Sequence, residues 1–313
     1  MTEKQIYLFV HYREADDRSG EQVHFAVSTD GRHWESVNHG KPVFFAEKGE
    51  RGVRDLSILR TLEGKYIILG TDLCMSENFV KKYNSKWPNI GRFGSCYISM
   101  WESEDLVHWS DQRLLDLGDG GFGCFWGPEA LYREEKDDYL IYWASSNEVN
   151  NYGAKAIYGS TTRDFRVFSK PLLLYEKEEA SIVDPFYFKD GENYYRLLKS
   201  RQNPFAVILE RGKTLLGKYE RLPEFDRWMS QYKANEYEAP IAYRLPDGKW
   251  CLLLDYFGKE RDRTGYVPFV ESDLYHGKFQ EESEKFFFPY GMKHGSIILI
   301  SEKDYQRIKK AYQ

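Results

Sequence analysis

The chain has 313 residues, 42% of them apolar and 30% charged, with a formal net charge of -5. That is enough to bury a sizeable core in one large all-β domain or two ordinary ones. No Lys/Arg-rich face supports a phosphate-tracking nucleic-acid binder, and no apolar run approaches the ~20 residues of a membrane-spanning helix.

In chain order, short runs rich in Ile, Val, Tyr and Phe dominate. They are QIYLFVHY (5–12), VHFAVS (23–28), KYIILGT (65–71), SCYISMW (95–101), DYLIYWAS (138–145), NYYRLLKS (193–200) and KWCLLLDY (249–256). Turns such as DG and GE separate many of them, which is the pattern of strand hairpins. The start, MTEKQIYLFVHYREADD, lacks the basic, apolar and small-residue sections of a signal peptide, so a cytoplasmic location is expected. Residues 75–94, MSENFVKKYNSKWPNIGRFG, read as a long loop. Only the C-terminal EKDYQRIKKAYQ looks helical, with Ser301 placed to cap it. The lack of helical segments between strands argues against a βαβ fold or a TIM barrel.

Two repeated features organise these strands. The first runs from an apolar strand through Ser and Asp to an aromatic residue, in AVSTDGRHW (26–34), WESEDLVHW (101–109) and YGSTTRDFRVF (158–168), more weakly in VESDLYHGKF (270–279). The second precedes a hairpin, in RDLSILR (54–60), WGPEALYR (126–133), VDPFYFKDG (183–191), EAPIAYRLPDG (238–248) and KHGSIILI (293–300). Pro128 to Pro185 is 57 residues, Pro185 to Pro240 is 55, and Pro240 to Gly295 is 55; Leu56 to Pro128 is longer, at 72, because it contains the 75–94 segment. Such periods fit one four-stranded blade each. Five starts predict an all-β, five-bladed β-propeller over residues 1–313, with inner strands at 54–60, 126–133, 183–190, 238–244 and 294–300. The terminal strand HGSIILI is expected innermost in a closing blade whose outer strands come from residues 5–38, which removes an exposed edge. A β-sandwich is the alternative, but it leaves the five similar starts unexplained.

Cys74, Cys96, Cys124 and Cys251 are widely spaced, form no CxxC and read as free core thiols. Aromatic residues reach 17%, most of them for packing between twisted sheets, some free to stack on sugar faces.

Inner strands of a propeller converge on its axis, so polar residues at their starts share one cavity. Here those residues are Asp55, Asp184, Glu238 and His294, with Trp126 nearby. Taken singly, each carboxylate has an ordinary explanation as a turn cap, a loop residue or an ion-pair partner. Together in one cleft they shift each other's proton affinity and divide naturally into acid and base.

The pieces VRDLSI (53–58), FWGPEALY (125–132), SIVDPFYF (181–188), YEAPIAY (237–243) and KHGSIILISEKDYQRI (293–308), with the SEDLVHW turn (103–109), resemble the family 43 glycoside hydrolases. That family includes α-L-arabinofuranosidases, β-xylosidases and endo-arabinanases on five-bladed propellers. The resemblance implies that Asp55 is the general base, that Asp184 tunes the acid and orients the sugar, and that Glu238 is the general acid. It also implies that His294 contacts an axial calcium or other ion, or a water network, below the sugar, with no cofactor required for the chemistry. Leu56 departs from the proline that usually follows the base and so loosens the constraint on Asp55.

Trp87 and Trp126 are candidates for a stacking wall, although Trp126 has an equal structural reading between blades. Arg201 is placed to reach a sugar hydroxyl or Asp184, and Asn147, Asn235 and Tyr237 are further substrate-binding candidates. The expected partner is an oligosaccharide; nothing in the sequence speaks to oligomeric state. The expected activity is inverting, exo-acting hydrolysis of short arabinose-containing oligosaccharides, with β-xylosidase or a non-catalytic carbohydrate-binding propeller as alternatives. A scaffolding propeller lacks its WD or kelch marks here. A phosphorylase would need phosphate-binding cations, for which Lys259, Arg261 and Arg263 form a run that reads equally well as a solvated loop.

Overall fold

A computed structural model describes residues 5–14, 16–118, 120–178, 180–259, 265–276, 278–289 and 291–312. Arg261 and Arg263 lie outside the described residues. The chain opens with β1 (Ile6–Arg13), β2 (His24–Ser28) and β3 (Glu35–Ser36). The first full blade follows: β4 (Val53–Arg60), β5 (Tyr66–Asp72), β6 (Ile98–Ser103) and β7 (Arg113–Leu115). The second is β8 (Trp126–Arg133), β9 (Asp138–Ser145), β10 (Ala156–Thr162) and β11 (Leu172–Tyr175). The third is β12 (Ile182–Asp190), β13 (Asn193–Arg201), β14 (Phe205–Gly212) and β15 (Tyr219–Arg221). The fourth is β16 (Tyr237–Arg244), β17 (Trp250–Tyr256), β18 (Gly265–Glu271) and β19 (Gln280–Glu281). Last comes β20 (Met292–Ile300), which pairs antiparallel with β1 and gives the closing sheet the order β20-β1-β2-β3. The fold is therefore the five-bladed propeller expected, its closing blade shared between the two ends of the chain.

Closure is also visible in the packing. One apolar cluster joins the closing blade to the first through Leu8, Val10, Phe25, Leu56, Ile68 and Trp101. A second joins the first blade to the next through Leu69, Met100, Ile141 and Trp143. The remaining interfaces are filled in turn by clusters containing Leu140 and Leu198, Leu197 and Leu252, and Leu253 and Phe9. Each blade thus has an apolar neighbour on both sides, which accounts for the aromatic content.

The Ser/Asp repeats form matching turns. Asp30 Oδ1 accepts the N–H groups of Arg32 and His33 at 2.7 and 2.8 Å, and Asp105 Oδ1 those of Val107 and His108 at 3.0 and 2.8 Å. Asp164 Oδ1 does the same for Arg166 and Val167, at 2.8 and 3.0 Å. The carboxylate satisfies backbone donors that the turn would otherwise leave bare.

The helices correct one expectation. Residues 75–94 form α1 (Met75–Lys81) and α2 (Trp87–Phe93), and α3 (Pro223–Met229) precedes the fourth blade. Each has seven residues, too few to show a 3.6-residue period, and Pro88 and Pro223 sit in the first turn of the latter two, where a missing N–H costs nothing. Glu21 and Glu50 fasten the insertion. Glu21 accepts the Met75 and Ser76 N–H groups at 2.9 and 2.8 Å, and Glu50 accepts Asn78 Nδ2 at 3.0 Å and pairs with Lys82 at 2.7 Å. The C-terminal helix, α4 (Glu302–Tyr312), is capped by Ser301, whose Oγ accepts the Asp304 N–H at 3.1 Å. It buries Ile308 in the closing interface.

Candidate active site

Every inner strand carries the same irregularity at its axial end. On β4, β8, β12, β16 and β20 two residues face one on the neighbouring strand, between Arg54 and Ser57, Trp126 and Glu129, Val183 and Phe186, Glu238 and Ile241, and Met292 and Gly295. Such bulges re-aim side chains, here around the axis. In four of them the first extra residue has positive φ: Asp55 (49°), Gly127 (55°), Asp184 (52°) and Ala239 (49°). Three are not glycine, a conformation costing ~1–2 kcal/mol each and tolerated where the surroundings enforce it. Asp55 keeps this conformation without a following proline; Leu56 instead packs into the core.

The candidates at the strand starts do not all occupy one position of the bulge. Asp55 and Asp184 are equivalent, whereas the counterpart of Glu238 is the residue before each of them, and His294 occupies the second bulge position. Counting intervals between prolines does not reveal a one-residue offset.

Asp55 is held on two sides. His294 Nδ1 stands 3.2 Å from its Oδ1, and Thr71 Oγ1 donates to its Oδ2 at 2.9 Å while accepting the Gly127 N–H at 2.9 Å. Burial opposes charge on Asp55, but the His294 hydrogen bond and charge, with Arg54, hold its carboxyl below the usual range. Burial likewise opposes charge on His294, yet Asp55, Asp184 and Glu129 raise it to about 9.

Glu238 is the opposite case. Burial, then the charges of Asp184 and Asp255, push it up to about 7, against the opposing pull of Arg201 and Lys199. Asp184 Oδ2 accepts the Ala239 N–H at 3.0 Å, so it is tied to the backbone next to Glu238. Asp255 lies directly across from Glu238 in the β16–β17 ladder and is paired with Lys293 at 2.8 Å. The site thus contains a carboxylate kept ionised and a carboxyl kept protonated near neutrality.

Trp87 and Trp126 do meet, edge to face with centroids 6.2 Å apart, and Trp87 is 52% exposed. Lys155 Nζ lies over the Trp126 ring at 4.3 Å. Arg201 approaches Glu238 Oε2 at 3.6 Å rather than Asp184. Tyr237 is only 2% exposed, its ring packed against Tyr256 and Phe269, so it belongs to the core instead of the cleft wall. Asn147 donates to the Tyr158 hydroxyl within the second blade, and Asn235 contributes its carbonyl to Lys199 at 3.1 Å. Neither side chain is joined to the carboxylates.

Several supporting residues carry no sequence signal because they sit mid-strand among apolar neighbours. Lys199, wholly buried, donates to the carbonyls of Ala234, Asn235 and Tyr237, the segment leading into Glu238. The Tyr266 hydroxyl donates to the Ala239 carbonyl at 3.3 Å and accepts the Gly295 N–H at 3.2 Å, joining two bulges. Glu129, pushed up to about 8 by burial, lies within the influence of His294.

Among the described residues no three His, Cys, Asp or Glu side chains are grouped to hold a metal ion. His294 is engaged by Asp55 and stays protonated to about pH 9, so it offers no lone pair for direct ligation near neutrality. This donor set does not fit an ion bound directly by the protein.

The five blades and their axial carboxyls define a class, the propeller glycosyl hydrolase domains. Residues 3–306 match the family model described as a probable glycosyl hydrolase domain, related to family 43, and the chain belongs to that family. No curated protein matches it. Similar solved structures include an exo-β-1,3-galactanase from Phanerochaete chrysosporium with β-1,3-galactotriose, at 18% identity and a TM-score of 0.51, covering 73% of this chain and 49% of that one. The chain thus spans about half the galactanase's length. An endo-arabinase from Bacteroides thetaiotaomicron matches at 17% identity and a TM-score of 0.51, over 74% of this chain and 79% of that one. A thermostable family-43 glycoside hydrolase matches at 17% identity, with a TM-score of 0.51 and coverages of 77% and 75%. At such identities the likeness establishes the fold.

Proposed function

We propose that the chain is an inverting glycoside hydrolase in which Asp55 is the general base and Glu238 the general acid. The observation that carries this reading is the contrast in how the two carboxyls are held: Asp55 by His294 and Thr71, which favour its charge, and Glu238 beside Asp184 and Asp255, which disfavour it. Asp55 takes a proton from a water whose oxygen attacks the anomeric carbon. Glu238 gives its proton to the departing glycosidic oxygen as that bond breaks. Asp184 holds Glu238 protonated by its charge and orients the backbone beside it. His294 and Thr71 fix the Asp55 carboxylate.

For the sugar, the proposal is a terminal α-L-arabinofuranosyl group released from a short oligosaccharide, with the α1–α2 insertion and Trp87 closing one side of the cleft. A β-1,3-linked galactosyl group is a second reading, favoured by the galactotriose held in the similar galactanase. A panel of 4-nitrophenyl glycosides separates these sugars, and proton NMR of the first product reads its configuration. A retained anomer sinks the base assignment, and cleavage confined to internal arabinan bonds sinks the exo reading. An ion held near His294 through water is a separate proposal: calcium titration of chelated protein should then move the His294 ring proton resonances.

A further inference from the structure

Arg201 stands beside the acid, and Lys155, near enough to feel the Arg201 charge, has no carboxylate partner among the described residues. Lys155 Nζ lies over Trp126, and among the described residues it has no hydrogen-bond acceptor. Among the described residues Arg201 has one carboxylate close to it, Glu238, at a separation of 3.6 Å, beyond hydrogen-bond reach. The main chain fixes both of them. Lys155 N donates to Ser181 Oγ at 3.1 Å and its carbonyl accepts the Ile182 N–H at 2.9 Å, while Arg201 N donates to the Ser181 carbonyl at 2.9 Å. The two residues are therefore anchored on one short segment just ahead of Asp184. Gly91 of α2 lies above Lys155; a Cβ there would stand 3.0 Å from Nζ, so glycine leaves the ammonium room. Trp87 and Trp126 complete the wall.

The chain carries a net charge of -5 and gathers Asp55, Asp184, Glu238 and Asp255 around its axis, so two neighbouring cations that are not hydrogen-bonded to those carboxylates are placed to receive an anionic ligand. Resting on the hydrolase reading above, we propose that the leaving-group subsite takes a uronic acid, its carboxylate received by Lys155 and Arg201 and its ring faced by Trp126 and Trp87. The anion belongs on the departing side because Arg201 adjoins the acid, whereas a charged sugar on the other side would meet Asp55 and Asp184. A guanidinium fork matches a planar carboxylate, and the ammonium adds a point charge. The bound carboxylate also draws Arg201 away from Glu238, so the acid keeps its proton until the leaving oxygen needs it.

The test uses disaccharides whose reducing unit is glucuronic or galacturonic acid, their carboxyl-reduced counterparts and 6-sulfated counterparts, bound to Asp55→Asn protein by calorimetry. The uronates should bind at least about tenfold more tightly than the reduced sugars, a charge-assisted hydrogen bond's worth. That preference should collapse in Asp55→Asn/Lys155→Met and Asp55→Asn/Arg201→Gln, and shrink in salt. Inhibition of the wild type by free glucuronic acid against glucose gives the same comparison if Asp55→Asn does not fold. Equal affinity for acid and reduced sugars, or a preference that survives both substitutions, overturns the proposal. Sulfated sugars bound as tightly as uronates overturn the carboxylate assignment. Wild-type hydrolysis of neutral glycosides without uronate preference defeats this inference alone. A uronate preference with no hydrolysis of any glycoside defeats the hydrolase reading and leaves the anion subsite standing.

Discussion

At the scale of single residues, the site depends on charges held out of their ordinary range. Glu238 in the fold keeps its proton to about pH 7, against the ordinary glutamate value of 4.5. Between those two values the folded protein binds a proton that the unfolded chain has lost, so this group's contribution to stability falls as pH rises and levels off above 7. Glu238→Gln removes the ionisable group, so its melting temperature should gain on the wild type between pH 5 and pH 8; a constant difference would show that the raised affinity is absent. The same substitution should abolish most turnover of substrates with poor leaving groups and much less of that of activated aryl glycosides, which need little protonation. Wild-type kcat/KM should decline above about pH 7 as Glu238 ionises, and Asp184→Asn should move that decline to lower pH. Thr71 serves two partners at once, Asp55 Oδ2 and the Gly127 N–H. Thr71→Val keeps the shape but strands a buried donor, so urea unfolding should show a loss of about 1–3 kcal/mol, with a fall in kcat larger than any change in KM.

At the scale of elements, the bulges and the strands entering them do the positioning. Lys199 on β13 reaches across to the segment before β16 and satisfies three carbonyls. Lys199→Met should therefore cost about 2–3 kcal/mol and lower kcat on poor leaving groups, with activated substrates affected less; equal losses on both would mean that Glu238 is not what Lys199 places. The strands themselves were legible in the sequence because β-branched and aromatic runs, turn dipeptides and a period near 55 residues all point the same way. The predicted inner strand 126–133 matches Trp126–Arg133, and 54–60 differs from Val53–Arg60 by one residue. The bulge register was not legible, since a positive φ at Asp55 or Ala239 has no sequence mark when the residue is not glycine. The helices of 75–94 escaped notice because seven residues are too few for periodicity, and Tyr237 misled because an aromatic beside a catalytic candidate reads the same whether it lines a cleft or fills a core.

At the scale of the whole molecule, ring closure and chemistry share one contact. Lys293 sits on β20, the strand that closes the propeller, and pairs at 2.8 Å with Asp255 on β17 of the fourth blade. Asp255 is buried and lies across from Glu238, raising the acid's hold on its proton. Burial pushes the Asp255 carboxyl upward, with Lys293 opposing that rise. A carboxylate that loses the cation hydrogen-bonded to it in such a place is far more costly than a neutral residue of similar size. Lys293→Met should accordingly destabilise the fold by about 3–5 kcal/mol in urea unfolding, whereas Lys293→Met/Asp255→Leu should recover most of that loss because no charge is left buried. The double variant should not recover the wild-type pH profile. Without the Asp255 charge Glu238 gives up its proton more readily, and the fall of kcat/KM at alkaline pH should begin earlier. Stability that drops by less than 1 kcal/mol in the single variant, or a double variant with an unmoved alkaline limb, would show that the contact closing the ring does not tune the acid.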